Sequence, residues 1–218
     1  MDRTSIRKTR QYAIEKDNDP ILKADDTKTV QSLVGNLLYY ARALESHMLP
    51  GLNEIQHRQA SPTKNTLEKC HMILDFCASH PDGKKIRYYA SDMILHIDTD
   101  AAYLVLPGAK SRIAGYYFLA QQPPAHGIPQ SVLNGAIHVE CKALKHVVAS
   151  AVESETGGIF VNGQFAIPIR HTLIALEHLQ PPTPLKTENF TAYKFVHNDM
   201  KQKMSKSWDM RFSWLRDR

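Results

Sequence analysis

Asp98 stands inside an apolar, strand-like run, Ile94-Leu-His-Ile-Asp98-Thr-Asp-Ala-Ala-Tyr103, where a buried strand does not ordinarily hold a carboxylate. Taking an unpaired carboxylate out of water costs several kcal/mol, so such a residue needs a cation, a hydrogen-bond network or a shifted pKa. Two further acids follow in unusual settings: Glu155 in Ser150-Ala-Val-Glu-Ser-Glu155-Thr-Gly-Gly, and Glu188 in Leu185-Lys-Thr-Glu188-Asn-Phe-Thr-Ala. Three acids at the ends of successive elements suggest a carboxylate cluster for a divalent metal. Hard cations take oxygen ligands, and clustered carboxylates repel one another until a cation neutralises them.

The elements that must position these acids follow from periodicity. Residues 1–24 read as an irregular remnant, and Asp25-Asp26-Thr27 as a helix N-cap. Val30, Leu33, Val34, Leu37, Leu38, Ala41 and Leu44 then recur at three and four, the pattern of an amphipathic helix. Ser61-Pro62 is read as a second helix start, with Leu67, Cys70, Leu74 and Cys77 as its apolar stripe and Pro81-Asp-Gly83 as its end. After Gly83 the texture changes to strands: Arg87 to Ala90 paired with Met93 to Asp98 across a Ser91-Asp92 turn, then Arg112 to Ala120 and Ala136 to Glu140. A helix is expected from about Lys145 to Asn162, a second helical run from His171 to Leu179, a strand from Leu185 to Glu188, and a helix from Phe190. On the first of these helices Glu155 shares a face with Val148, Ala151, Val152 and Ile159, the stripe expected to pack on the sheet, whereas Glu153 points elsewhere.

Composition narrows the class. The chain has 218 residues, 43% of them hydrophobic, which suits a small helical piece plus one ordinary domain with a real core. A net charge of +5 favours an anionic partner, with Arg3, Arg7, Lys8 and Arg10 at one end and Lys201, Lys203, Lys206, Arg211, Arg216 and Arg218 at the other. Cys70, Cys77 and Cys141 form no disulfide framework, which implies a reducing compartment. No signal peptide or membrane-length apolar run is visible, so the expectation is a soluble intracellular chain, with cytoplasm and nucleus not distinguished.

Four segments in order carry a resemblance: Ile97-Asp98-Thr-Asp-Ala-Ala-Tyr, Val148-Ala-Ser-Ala-Val-Glu-Ser-Glu155, Thr187-Glu188-Asn-Phe-Thr-Ala192, and Lys206-Ser-Trp-Asp-Met-Arg-Phe-Ser-Trp-Leu-Arg-Asp-Arg218. Together they resemble the ribonuclease H domain of copia-type LTR retrotransposon reverse transcriptases. Val30-Gln-Ser-Leu-Val-Gly-Asn-Leu-Leu-Tyr-Tyr40 and Gln59-Ala-Ser-Pro-Thr63 are similar to the thumb and connection that follow the polymerase palm in that family. The resemblance runs from about Asp25 to the last residue. It implies an α/β fold: a ribonuclease H-like mixed sheet with helices over residues 86–218, incomplete at its C-terminal end, preceded by a helical thumb-like segment over 25–85.

The function implied is Mg²⁺-dependent endonucleolytic cleavage of RNA in RNA–DNA hybrids during reverse transcription. Asp98 would be the ligand bridging two Mg²⁺ or Mn²⁺ ions, Glu155 the helix ligand and Glu188 the third. The chain departs from the family in two places. Glu188 stands where aspartate is usual, and one added methylene moves a carboxylate by roughly 1 Å, enough to cost on the order of a hundredfold. The family's fourth acid lies beyond the Trp-Leu-Arg-Asp-Arg segment. Asp209 is a tempting substitute but falls where a preceding helix begins, as a cap or dipole partner. Weak or absent activity is therefore expected, and no polymerase activity, since no palm is present.

Competing clusters carry less. Cys70, His71, Cys77 and His80 suggest zinc, but Cys70 and Cys77 would lie two helical turns apart, roughly 10 Å along the axis. His96, His197 and the Glu140-Cys141 pair are read as structural or surface residues. Two alternatives to the enzyme stay open: a non-catalytic remnant binding RNA or a hybrid, and a helical module docking on the polymerase part of a retroelement polyprotein. No membrane partner is expected.

Overall fold

The computed structural model describes residues 17–83, 85–122, 132–197 and 214–215. Asp209 and the basic residues expected at the two termini lie outside them. A four-stranded mixed sheet forms the centre, in the order β3-β2-β1-β4. Strands β1 (Ile94–Leu106), β2 (Lys110–Ala120) and β3 (Ala136–Ala143) form an antiparallel meander, and β4 (Leu185–Thr187) joins β1 in parallel. Helix α4 (Ala151–Ala175) crosses between β3 and β4, and α5 (Phe190–Val196) follows β4. Before the sheet come α1 (Ala24–Ala43), a 3₁₀ turn (Ser46–Met48), α2 (Leu49–Arg58) and α3 (Lys64–Ser79). The α/β class expected from the sequence is what this chain adopts. Among the described residues no helix is long and apolar enough to cross a membrane.

Side-chain alternation along the strands splits the sheet into two faces. Leu95, Ile97 and Tyr117 pack with Ala166 and Leu173 of α4, with Phe165 and Ile169 against them. On the other face Val139 and Cys141 of β3 join Ala41, Met48, Leu49 and Leu52, so α1 and α2 cover that end of the sheet. Glu140, 3% exposed, lies 3.4 Å from Arg42 of α1, with His138 and Lys142 at 3.8 and 4.0 Å. Cys70 and Cys77 pack in these helical cores, as expected of the apolar stripe, with Cys77 Sγ 3.9 Å from Met48 Sδ.

Several local expectations are corrected. Arg87 to Ala90 is not a strand. The side chain of Asn134 accepts from Tyr89 N and donates to Tyr89 O and Leu119 O, so an amide replaces the ladder that a hairpin would have made. Instead of two helical runs, α4 is one 25-residue helix that begins only at Ala151 and contains Gly157, Gly158, Gly163 and Pro168. Those residues look like breakers, yet tertiary packing overrides propensity there. The N-cap of α1 is Lys23, without a side-chain bond, while Asp25 and Asp26 occupy the first turn. For α3 the cap is Thr63, in a reciprocal pair with Thr66, rather than Ser61. Helix α2, with Pro50 in its first turn, was not anticipated.

Candidate functional site

Asp98 sits in β1 with Tyr116 of β2 as its register partner on one side and Lys186 of β4 on the other. Alternation turns Asp98 and Asp100 away from the α4-facing positions Leu95, Ile97 and Thr99. Asp98, Asp100, Tyr116, Val139, Lys186 and Glu188 line one cavity of about 330 Å³. Asp98 is half-buried, and burial pushes its carboxyl above the usual range. Lys186 and then His96 pull it back, and Glu188 pushes it up again.

Glu155 reaches the same region from α4. Ser150 Oγ accepts from Glu153 N at 3.2 Å, and the Glu153 carboxylate accepts from Ala149 N at 2.7 Å, fixing the first turn. Glu153, which points away from the sheet-facing stripe, is thus a capping residue. Close approach follows at Gly158, where a Cβ would lie 3.3 Å from Thr99 Oγ1. Two turns beyond Glu155, fully buried Asn162 ties the helix to the sheet. Its amide donates to Thr99 Oγ1 at 2.7 Å and Ala114 O at 2.9 Å, and its Oδ1 accepts from Tyr117 OH at 2.9 Å. A Cβ on Gly115 would come within 2.5 Å of that Oδ1, so the network requires glycine there.

Held this way, Glu155 is only 9% exposed, and its Oε2 is buried with no hydrogen-bond partner. Burial, then Asp100, push its carboxyl up to about 7. The Ala101 backbone and Thr187 side chain offset this in part, and Glu188 adds to it. An orphaned buried carboxylate oxygen is costly, and a cation beside the acids would relieve it.

Glu188 is exposed and follows β4 directly. Thr187 Oγ1 accepts from Asn189 N at 3.2 Å, and Asn189 Oδ1 accepts from Ala192 N at 3.0 Å to cap α5. The approach to β4 is clamped by Arg170, which donates to Pro181 O, Thr183 Oγ1 and Gln180 O. Gln180 in turn bridges Leu95 N and Met93 O. A three-residue strand is thereby kept in register beside Asp98.

The three expected acids therefore come from β1, α4 and the end of β4. Asp98 and Glu188 share the cavity, whereas Glu155 meets it through Asp100 and Glu188. Among the described residues no three His, Cys, Asp or Glu side chains are arranged to hold a metal ion as they stand. Asp100 and Lys186 were missed in the sequence. Asp100 was legible from the two-residue spacing that puts it on the face of Asp98, but Lys186 follows only from the β1–β4 register. His96 is buried, its Nε2–H donating to Gln121 O at 3.0 Å, and burial lowers its pKa, as for a core residue. His197 packs on Tyr193 at 4.3 Å between centroids and lines a separate cavity of about 570 Å³ beside α4 and α5.

No family model, curated protein or solved structure matches this chain.

Proposed function

We propose that the chain is a retrotransposon-derived, ribonuclease H-like protein whose ancestral chemistry is metal-dependent cleavage of RNA in RNA–DNA hybrids, weak or silent in this molecule. What supports this reading is that acids of β1 and the end of β4 share one cavity, with Glu155 of α4 within electrostatic reach of Asp100 and Glu188 and one of its oxygens buried without a hydrogen-bond partner. The order β3-β2-β1-β4, with only β4 parallel to β1, is compatible with it.

Asp98, Glu155 and Glu188 would hold the Mg²⁺ or Mn²⁺ ions, with Asp100 adding charge. A divalent pair, when bound, lowers the pKa of the attacking water and stabilises the leaving oxygen. The chain's own part is to hold the elements that carry the carboxylates in place. The Asn162 network fixes α4, and the Arg170 clamp fixes β4. Glu188, one methylene longer than aspartate and exposed, is the least constrained acid, which supports low turnover.

The test is incubation of the full chain with labelled RNA–DNA hybrid, with and without Mg²⁺ or Mn²⁺. Weak metal-dependent cutting is expected, strengthened by Glu188→Asp and abolished by Asp98→Asn. Cutting that survives Asp98→Asn would place the chemistry elsewhere. The present spread of the acids favours a second reading, a hybrid- or RNA-binding remnant. Salt-sensitive binding without cleavage in any of these variants would select it.

A further inference from the structure

The sheet face that carries Asp98 and Asp100 also carries cations. Register sets Tyr116 beside Asp98, Ala114 beside Asp100 and Arg112 beside Ala102. Lys110, Arg112, Ala114 and Tyr116 alternate along β2, so all four project from that face. Ala114 and Tyr116 line the acid cavity. Arg112 and Lys110 continue the row away from it, roughly 13 and 20 Å beyond Tyr116 at about 3.3 Å per residue. There α2 meets the sheet: Lys110 Nζ lies 3.4 Å from His57 Nε2. An ammonium has donors only, so the ring nitrogen accepts.

This group has no counter-charge. Among the described residues no carboxylate lies within ion-pair distance of Lys110, Arg112 or His57. Burial lowers the His57 pKa, and the charges that add to the shift are Lys110 and Arg58, both cations. Arg58 is tied to Asp17 at 2.7 Å. Arg112, by contrast, keeps a buried Nε with no hydrogen-bond partner. A buried donor left unpaired is costly, and an anion at the junction would relieve it.

We propose that Lys110, Arg112 and His57, where α2 meets the β1–β2 turn, bind a backbone phosphate of a nucleic-acid strand lying along this sheet face toward the acids. This rests on the nucleic-acid reading above, in its cleaving or its binding form, and needs no metal. A point charge beside a guanidinium fork suits phosphate oxygens. The acids repel a phosphate backbone, so the attraction that draws a strand across Asp100 and Asp98 comes from this cationic end of the face. At about 3.4 Å of duplex axis per nucleotide, the offset between the two ends spans about four to six nucleotides.

Fluorescence anisotropy of a labelled RNA–DNA hybrid with the full chain, in chelator and over a salt series, tests this without reference to turnover. Lys110→Gln with Arg112→Gln should weaken binding about tenfold at near-physiological salt and flatten the logarithmic salt slope by about two. Lys110→Gln alone, at an exposed contact, should flatten it by about one, and Lys110→Arg with Arg112→Lys should restore it. Lys23→Gln with Lys28→Gln removes the same charge from exposed positions of the helical segment and should change little. Thermal melting of each variant checks that the fold is kept. Hybrid binding unchanged by Lys110→Gln and by the double variant, or weakened equally by the Lys23 and Lys28 pair, would overturn the proposal and leave the nucleic-acid reading standing. No hybrid binding by the wild type at low salt would remove that reading and the proposal with it.

Discussion

Two buried carboxylates in this molecule face opposite circumstances. Glu140, on β3 where α1 and α2 meet the sheet, is surrounded by cations. Burial alone would raise its pKa, but His138, Lys142 and Arg42 outweigh that and leave it lowered. Glu155, at the start of α4, has acids for neighbours, and its pKa rises to about 7. The first is a finished structural contact joining the helical segment to the sheet. The second leaves a buried oxygen without a hydrogen-bond partner, the gap that the proposed function fills with a cation. Burial of an acid thus says little about its role, and the sign of its surroundings says much more.

The largest expected effect in this comparison is at the finished contact. Glu140→Gln removes the buried partner shared by Arg42 and Lys142, whose side chains are themselves partly exposed, and should cost roughly 2 kcal/mol in urea denaturation at pH 7. Glu155→Gln should behave in the opposite sense. It removes an unpaired charge, so at pH 8 the variant should be more stable than wild type by roughly 1–2 kcal/mol. Destabilisation by Glu155→Gln at that pH would mean the carboxylate has a partner after all.

Titration sharpens the same contrast. A carboxyl raised from 4.5 to about 7 in the folded chain binds its proton more tightly there than in the unfolded chain. Its stabilising contribution is complete below pH 4.5 and is lost as pH rises through about 7. Asp98 is shifted in the same direction and adds to the slope. Glu140, shifted down, works the other way and loses its contribution as pH falls through its lowered folded pKa. Glu155→Gln should flatten the decline between pH 5 and 7, and Glu140→Gln should leave it unchanged and act only at more acidic pH. The smallest effect belongs to Arg42→Ala. Its side chain is 46% exposed, so the loss should stay below about 1 kcal/mol and shrink further in high salt.

Much of the scaffold was legible because its signals are local. The alternating runs gave β2, β3 and the start of β1, and the stripe at Val30, Val34 and Ala41 gave α1. The odd setting of Asp98 and the sheet-facing position of Glu155 were also visible in one dimension. What escaped depends on contacts distant in sequence. Asn134 replaces a predicted hairpin by bonding across 45 residues to Tyr89. Gly158, which reads as a break in α4, is a close-approach point against Thr99 and Asp100. Lys186 entered the cavity through strand register, which no periodicity reveals.

The central proposal is that a cation partners the buried Glu155 carboxylate. Melting temperature measured at pH 8 against rising Mn²⁺ tests it most directly, because an ion that binds only the folded chain stabilises it by about 2.7 kcal/mol at a hundredfold excess over its dissociation constant. The wild type should gain stability steadily with Mn²⁺, while Glu155→Gln, already relieved of its charge, should start higher and gain far less. Equal gains in the two proteins, or no gain in the wild type, would contradict the account.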